Sequence, residues 1–169
     1  MAPRDDAPAR PAWAVTATVL LHREGRWLLT VRSEEVDDAP GLLGLVGGHV
    51  EGPTDGGPGV SGVLEATARR EAAEETGLDL TGTRLDYLES ELFTTDAGTG
   101  QVTVAFVAAA PPGAEPTVAD PHEVASVGWW SAEEAAADPR CPEWLPPLLA
   151  RAQARVRPVG PDPRRSFSC

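Results

Sequence analysis

Apolar and polar positions along the chain form short alternating runs that predict strands, interrupted by one alanine- and glutamate-rich segment that predicts a helix. β-Branched and apolar residues fill Ala14–Leu21 and Trp27–Arg32. The turn at Arg23–Arg26 separates these two runs, so we expect a hairpin. Leu42–Val46 is a shorter apolar run and predicts a third strand that leads into a glycine pair. Further strands are expected at Leu85–Thr94, Val102–Ala109 and Val124–Trp130.

Three segments are expected to be helical. Val63–Thr76 ends at Gly77, a residue that readily adopts the left-handed conformation that closes a helix. Ser131 and Glu134 have the spacing of a capping box and predict the start of a short helix. Trp144–Arg155 is expected to form the last helix. The order of strands, helix, strands and helices indicates an α+β fold with a mixed sheet.

Composition and charge limit the classes of function. The 169 residues are 41% hydrophobic and 24% charged, which suits one globular domain. We expect this domain at 13–157, between a disordered lead at 1–12 and a disordered tail at 158–169. The net charge of −12 argues against long nucleic acids. No apolar run reaches transmembrane length and no signal peptide is visible, so no membrane partner is expected. Cys141 and Cys169 give neither a metal spacing nor a disulfide framework, so the cytoplasm is the expected compartment.

The most informative segment is Arg70–Leu78. Residues three and four apart on a helix share a face, so Glu71, Glu74 and Glu75 are expected to project from one patch. Three carboxylates this close repel one another unless a cation lies between them. Mg²⁺ prefers oxygen ligands and also binds substrate phosphates, so the patch indicates phosphate chemistry. On the charge pattern alone, a solvated acidic face paired with neighbouring arginines is the simpler interpretation.

This segment and the glycine pair before it resemble the Nudix box of the Nudix hydrolase superfamily. Arg70-Glu71-Ala72-Ala73-Glu74-Glu75-Thr76-Gly77-Leu78 matches the second half of the box, and Gly47-Gly48-His49-Val50-Glu51 matches its usual opening. The resemblance implies an α/β/α sandwich with a mixed β-sheet. Two features depart from the family. The spacing from Gly48 to Arg70 is eight residues longer, with the extra residues in the Gly- and Pro-rich loop Gly52–Gly62. Neither Thr54 nor Gly62 supplies the first glutamate of the box.

The resemblance also implies an activity: hydrolysis of the diphosphate linkage of a nucleoside diphosphate derivative, with Mg²⁺ or Mn²⁺ as cofactor. It makes Glu71, Glu74, Glu75 and the Gly48 carbonyl the metal ligands. Glu71, Glu74, Glu75 and Arg70 are the implied catalytic residues. Glu71 is the first candidate for the base that activates water, because such a base must lie beside the metal-bound water. Arg70 is expected to orient a carboxylate through a bidentate pair.

Arg32, Glu123 and Trp129 are the candidates on the substrate side. Arg32 ends the second strand, where the family often places an arginine that contacts phosphate; a solvated strand end is the alternative. Glu123 precedes the last strand, where some members have a further metal-linked acid, although a surface glutamate is the simpler interpretation. Trp129 and Trp130 point to opposite faces of a strand, so one is expected in the core and the other can stack on a base. Core packing is favoured for the two remaining aromatic candidates, Tyr87 and Phe93.

Two other functions stay open. The missing box glutamate and the long loop also suit a Nudix-like nucleotide-binding or sensor domain with little turnover. An unrelated α/β scaffold that carries an acidic helix is the third alternative. The expected partner is a small-molecule nucleotide or nucleotide derivative. Many members of the superfamily are dimers, so a homodimer is also open.

Overall fold

A computed structural model describes residues 13–52, 59–95 and 98–156. The predicted lead at 1–12 and the predicted tail at 158–169 lie outside these residues, so terminal disorder stays a prediction. Six residues of the long loop, 53–58, and residues 96–97 of a predicted turn also lie outside them. Within the described part of the chain, no helix is long and apolar enough to cross a membrane.

The described residues form seven strands and three helices. The strands are β1 (Trp13–Arg23), β2 (Arg26–Arg32), β3 (Leu43–Gly44), β4 (Val46–His49), β5 (Asp86–Thr94), β6 (Gly100–Ala109) and β7 (Val124–Trp130). The helices are α1 (Val63–Thr76), α2 (Ala132–Ala137) and α3 (Leu145–Val156). The predicted bounds of α1 and β7 are confirmed, and those of β1, β2, β5, β6 and α3 are confirmed to within two residues.

All seven strands belong to one mixed sheet. Its main path runs β3-β2-β1-β6-β5, while β4 pairs with β1 and β7 pairs with β2. β1 and β6 are parallel, and the other pairs are antiparallel. The central strand β1 therefore has β6 along one edge. Along its other edge, His22 and Arg23 pair with β2, whereas Thr16–Val19 pair with β4. The sheet divides between β2 and β4, and this division leaves room for a cleft.

The sequence predicts one strand at Leu42–Val46, and this prediction is wrong because the chain changes neighbours within it. β3 pairs with Thr30 and Val31 of β2, and β4 then pairs with β1. Gly47 lies in β4 with a positive φ of 154°, and a Cβ at this position would collide with the backbone of β1. A glycine is therefore required for β4 to approach β1 this closely.

Helices cover both faces of the sheet. Successive residues of a strand point to opposite sides, so each strand can contribute apolar side chains to two cores. The core between the sheet and α1 contains Ala17, Val19, Leu21, Ala68 and Ala72. The core between the sheet and the pair α2 and α3 contains Leu20, Ala135, Leu145, Leu149 and Ala152. The result is the expected α/β/α sandwich.

The two predicted helix signals are confirmed. At the end of α1, Gly77 has a φ of 69° and its N–H donates to the Ala73 carbonyl at 3.0 Å. The next N–H, of Leu78, donates to the Ala72 carbonyl, so the last turn is closed by backbone bonds. Ser131 and Glu134 make both hydrogen bonds of the capping box at the start of α2. The stop at Gly77 fixes where α1 ends and hence the positions of the side chains in its last turns.

Candidate active site

Two glutamates lie on the buried face of α1. Glu71 and Glu75 are one helical turn apart and are only 6% and 5% exposed. Glutamate is rarely buried this far without a partner. The backbone of β4 lies directly against them, since a Cβ on Gly48 would overlap the Glu71 carboxylate. The glycine pair at Gly47 and Gly48 is therefore what allows the carboxylates of α1 to reach the edge of β4.

A third carboxylate joins them from a distant part of the sequence. One oxygen each of Glu71, Glu75 and Glu123 lie within 4.8 Å of one another. Glu123 directly precedes β7, and its carbonyl accepts a hydrogen bond of 2.9 Å from the N–H of Ser33 after β2. Backbone pairing thus holds Glu123 at the cluster, although its side chain is exposed. The simpler interpretation of Glu123 as a surface residue misses this placement. The available signal was its position just before a strand that flanks β2.

Burial and mutual repulsion perturb this cluster. The pKa of Glu75 is raised from 4.5 to about 8, chiefly by burial, and the charges of Glu71 and Glu123 contribute to this rise. The Gly47 N–H and Arg32 oppose this rise, but the Gly47 N–H lies 3.5 Å from Glu75 Oε1 and gives only a weak hydrogen bond. Burial also raises the pKa of Glu71. The second oxygen of Glu75, Oε2, is buried without a hydrogen-bond partner among the described residues.

The cluster fits a hard divalent cation. Oxygens that bind such an ion are at most roughly 4–5 Å apart, and the three carboxylate oxygens all lie within 4.8 Å of one another. The donors are all carboxylates, a set that suits Mg²⁺ or Mn²⁺ better than softer metals. A cation would also provide a partner for Glu75 Oε2, whose burial otherwise carries a cost in free energy.

Glu74 is not part of this trio, in contrast to the predicted single patch. On an α-helix its side chain is turned roughly 60° from that of Glu71, away from Glu75. Its side chain is 55% exposed and pairs with Arg70, whose Nη1 lies 2.6 Å from Glu74 Oε2. Glu74 still lines the same cleft, and its role as a metal ligand stays a prediction.

Arg70 connects the glutamates of α1 to β4. Its Nη2 lies 2.7 Å from Glu71 Oε1 and also donates to the His49 carbonyl at 3.1 Å. Its Nη1 pairs with Glu74. The predicted bidentate pair with one carboxylate is therefore a bridge between two carboxylates and a backbone carbonyl. This bridge fixes the orientation of Glu71, since a guanidinium holds its partners in a planar arrangement.

An open cleft of about 1060 Å³ begins at the acidic cluster. Gly48, Arg70 and Arg32 line this end. Arg32 ends β2 as predicted, and its Nε donates to the Asp38 carbonyl at 2.7 Å. This bond restrains the guanidinium, which lines the cleft. Whether it contacts phosphate stays a prediction.

The cleft extends over the sheet toward β5. Of the residues that line this arm, only Phe93 was considered from the sequence, with core packing favoured. The lining residues are Thr16, Phe93, Gln101, Thr103 and Trp144. The strand residues among them follow the alternation of β1, β5 and β6, which is the one sequence signal for their shared face. The favoured core packing of Phe93 is wrong, since it is 40% exposed, and Tyr87 is 55% exposed. Both lie on β5, at the edge of the sheet, where little covers them.

Trp129 is not brought to the cleft. It packs against the core beside α1, and the guanidinium of Arg23 lies 4.5 Å from the centre of its ring. Trp130 packs against the core on the opposite face. The two tryptophans do point to opposite sides, as predicted, but each side is occupied by a core. The structure therefore gives no support for stacking of a base on Trp129.

Comparisons with known proteins agree with this architecture. The sequence model of the NUDIX domain matches residues 11–152. No curated protein matches the sequence. Among solved structures, the MutT NUDIX hydrolase from Burkholderia pseudomallei is 27% identical with a TM-score of 0.58. The similarity covers 73% of this chain and 86% of that one.

Two further structures support the fold. The NUDIX domain of Shewanella oneidensis NrtR, complexed with ADP ribose, is 24% identical with a TM-score of 0.68. That similarity covers 90% of this chain and 95% of that one. The C. elegans Ap4A hydrolase is 17% identical with a TM-score of 0.64, over 84% of this chain and 96% of that one.

Proposed function

Because this chain belongs to the NUDIX domain family, we propose that it is a metal-dependent hydrolase of nucleoside diphosphate derivatives. The bond cleaved is the diphosphate linkage. The observation that supports this most strongly is the trio of carboxylate oxygens within 4.8 Å, one of them from a buried glutamate whose other oxygen lacks a partner among the described residues. A solvated acidic face would not bury two of its glutamates.

Glu71, Glu75 and Glu123 would hold a divalent cation, Mg²⁺ or Mn²⁺. The Gly48 carbonyl and Glu74 are further candidate ligands. A cation bound there lowers the pKa of water and neutralises charge on the phosphates. The three carboxylates in turn need a cation before an anionic substrate can approach, because like charges this close repel one another.

The remaining roles belong to the side chains around the trio. Glu71 is the first candidate for the group that accepts the proton of the attacking water, since Arg70 holds one of its oxygens at 2.7 Å and fixes its orientation. Arg70 is therefore a positioning residue. Arg32, which lines the same cleft, would contact a phosphate oxygen. Attack of water on one phosphorus atom breaks the bond between that atom and the bridging oxygen. The bridging oxygen leaves with the other phosphate group.

The ligand class follows from the family and its neighbours. The Shewanella domain carries ADP ribose, which supports a nucleotide derivative as the small-molecule ligand here. The net charge of −12 disfavours a long nucleic acid. Cys141 is a free thiol, and the cytoplasm stays the expected compartment on the cysteine content alone.

A panel of substrates tests this function. The protein is incubated with Mg²⁺ or Mn²⁺ and with nucleoside triphosphates, oxidised nucleotides, ADP-ribose or dinucleoside polyphosphates, and the products are identified. We expect cleavage of a diphosphate linkage in at least one substrate, and its loss in Glu75→Gln. Tight binding without turnover in either metal would instead favour the nucleotide-binding or sensor domain. Turnover at the wild-type rate in Glu75→Gln would exclude the assigned site.

A further inference from the structure

The arm of the cleft that leads away from the acidic cluster crosses three strands in register. Thr16 of β1 lies opposite His49 of β4 on one side and opposite Thr103 of β6 on the other. Adjacent strands are about 4.8 Å apart, so Thr103 lies roughly 10 Å from His49. Gly48, beside the cluster, directly precedes His49. A group attached through a sugar to a diphosphate at the cluster would therefore reach this arm.

A hydrogen-bonded network forms the floor of the arm. The hydroxyl oxygens of Thr16 and Thr103 are 2.7 Å apart. The Gln101 side-chain amide donates from Nε2 to the Thr16 hydroxyl at 3.3 Å. A carboxamide has two N–H donors and one carbonyl acceptor, so this bond leaves one donor and one acceptor next to each other. Thr16, itself bonded to Thr103, thus holds the Gln101 amide in an orientation that suits a planar hydrogen-bonding partner.

Aromatic side chains line the same cleft as this amide. Phe93 is the cross-strand partner of Gln101 and is 40% exposed. Trp144, just before α3, lines the same cleft and is 47% exposed. Aromatic rings stack on the π-face of a heterocycle, and such stacking tolerates any base. The arm therefore provides aromatic surface on which a heterocycle can stack and an amide that can hydrogen-bond to the edge of the same ring.

The charge of the arm disfavours a phosphate group. Within the described residues that line the cleft, the two arginines are Arg32 and Arg70, and both belong to the acidic end. Glu89 and Glu91 line the arm, and Glu89 is paired with Arg151 of α3. An anionic group would meet carboxylates here without a free guanidinium to balance them. A neutral group is favoured.

We propose that Gln101 is the residue that selects the base of the substrate. Its amide, held by Thr16, hydrogen-bonds the edge of a neutral heteroaromatic ring that offers a donor beside an acceptor. Phe93 stacks on the face of that ring. The proposal rests on the proposed function for the position of the diphosphate at the cluster, but binding through Gln101 does not require turnover.

Equilibrium binding separates this proposal from hydrolysis. The full chain with Mn²⁺ is titrated calorimetrically with ADP, GDP, CDP, UDP and inorganic pyrophosphate, which has two linked phosphates but neither sugar nor base. We expect at least one nucleoside diphosphate to bind about 10-fold more tightly than pyrophosphate. Gln101→Leu should remove this advantage without changing the affinity for pyrophosphate. Phe93→Ala should weaken the same nucleotide by roughly 10-fold.

Gln153→Leu is the matched control. Gln153 lies on α3 and is not among the residues that line the cleft, so its replacement should leave both affinities unchanged. Gln101→Glu is a second variant of nearly the same shape, which keeps the fold if leucine does not and also removes the free N–H donor. The proposal is overturned if pyrophosphate binds as tightly as every nucleotide, or if both Gln101 variants change the two ligands equally or not at all. Nucleotide binding through Gln101 without hydrolysis would refute the proposed function alone.

Discussion

Replacement of Glu75 by glutamine should stabilise the cation-free protein at alkaline pH while it abolishes hydrolysis. The pKa of Glu75 is raised from 4.5 to about 8 in the folded protein, chiefly by burial. Between these two pH values the folded protein retains a proton that the unfolded chain has released. The free energy of unfolding of the cation-free protein must therefore fall as the pH rises through this window.

The magnitude follows from the size of the shift. A rise from 4.5 to about 8, at about 1.36 kcal/mol for each unit, gives at most about 5 kcal/mol above pH 8. Glu123 is exposed and can turn away from the cluster, which relieves part of the repulsion. We therefore expect the free energy of unfolding of the cation-free protein to fall by roughly 2–4 kcal/mol between pH 5 and pH 9. Glutamine has the same shape without the charge, so Glu75→Gln should lack most of this loss.

Urea unfolding of the wild type and of Glu75→Gln from pH 5 to pH 9, with a chelator present to remove divalent cations, measures this difference. Glu74→Gln is the control, because Glu74 is 55% exposed in a surface ion pair that contributes at most about 1 kcal/mol. It should keep the pH dependence of the wild type. Mn²⁺ should restore the alkaline stability of the wild type and have a smaller effect on Glu75→Gln. Parallel curves for wild type and Glu75→Gln would refute the assigned burial of charge at this site.

Four further substitutions test individual contacts. Gly48→Ala places a Cβ against the Glu71 carboxylate, which must move out of its position beside Arg70, so hydrolysis should fall roughly 100-fold. The overlap is with the end of a side chain and not with backbone, so the melting temperature should change little; equal activity would contradict the close approach of β4. Arg70→Lys loses the planar bridge between Glu71 and Glu74 and should lower kcat roughly 10–100-fold, which steady-state kinetics at saturating Mn²⁺ would show. Trp129→Leu should destabilise the fold by about 2 kcal/mol in urea unfolding but keep kcat/KM, because Trp129 packs against a core; a rise in KM without loss of stability would instead indicate that Trp129 contacts the substrate. Ser131→Ala removes the N-cap of α2 and should cost about 1 kcal/mol in the same unfolding assay, again without loss of activity.

The local signals of the sequence predicted most of the fold. The helix α1 has the predicted bounds because its end is fixed by Gly77 and by backbone bonds within its last turn. β7 and the capping box of α2 were also predicted from local signals, namely the residue run Val124–Trp130 and the spacing of Ser131 and Glu134. The error at Leu42–Val46 arose because the apolar pattern there is continuous, whereas the choice between β2 and β1 as pairing partner depends on tertiary contacts.

The site was only partly predictable. Glu71 and Glu75 share a face through helical spacing, which the sequence shows directly. The sequence does not show that Glu123 replaces Glu74 in the carboxylate trio, because that depends on how β7 pairs with β2. Gln101 became visible only through the register of β1, β5 and β6. Residues brought together by strand pairing leave no spacing signal in the chain.

The most direct test is a crystal grown with Mn²⁺ and measured at the manganese absorption edge. The arrangement of α1, β4 and Glu123 requires an anomalous peak between the carboxylates of Glu71, Glu75 and Glu123, with Glu75 Oε2 as one of the ligands. A peak at another place, with these three carboxylates free of metal, would contradict the assignment of the site and the hydrolase function that depends on it.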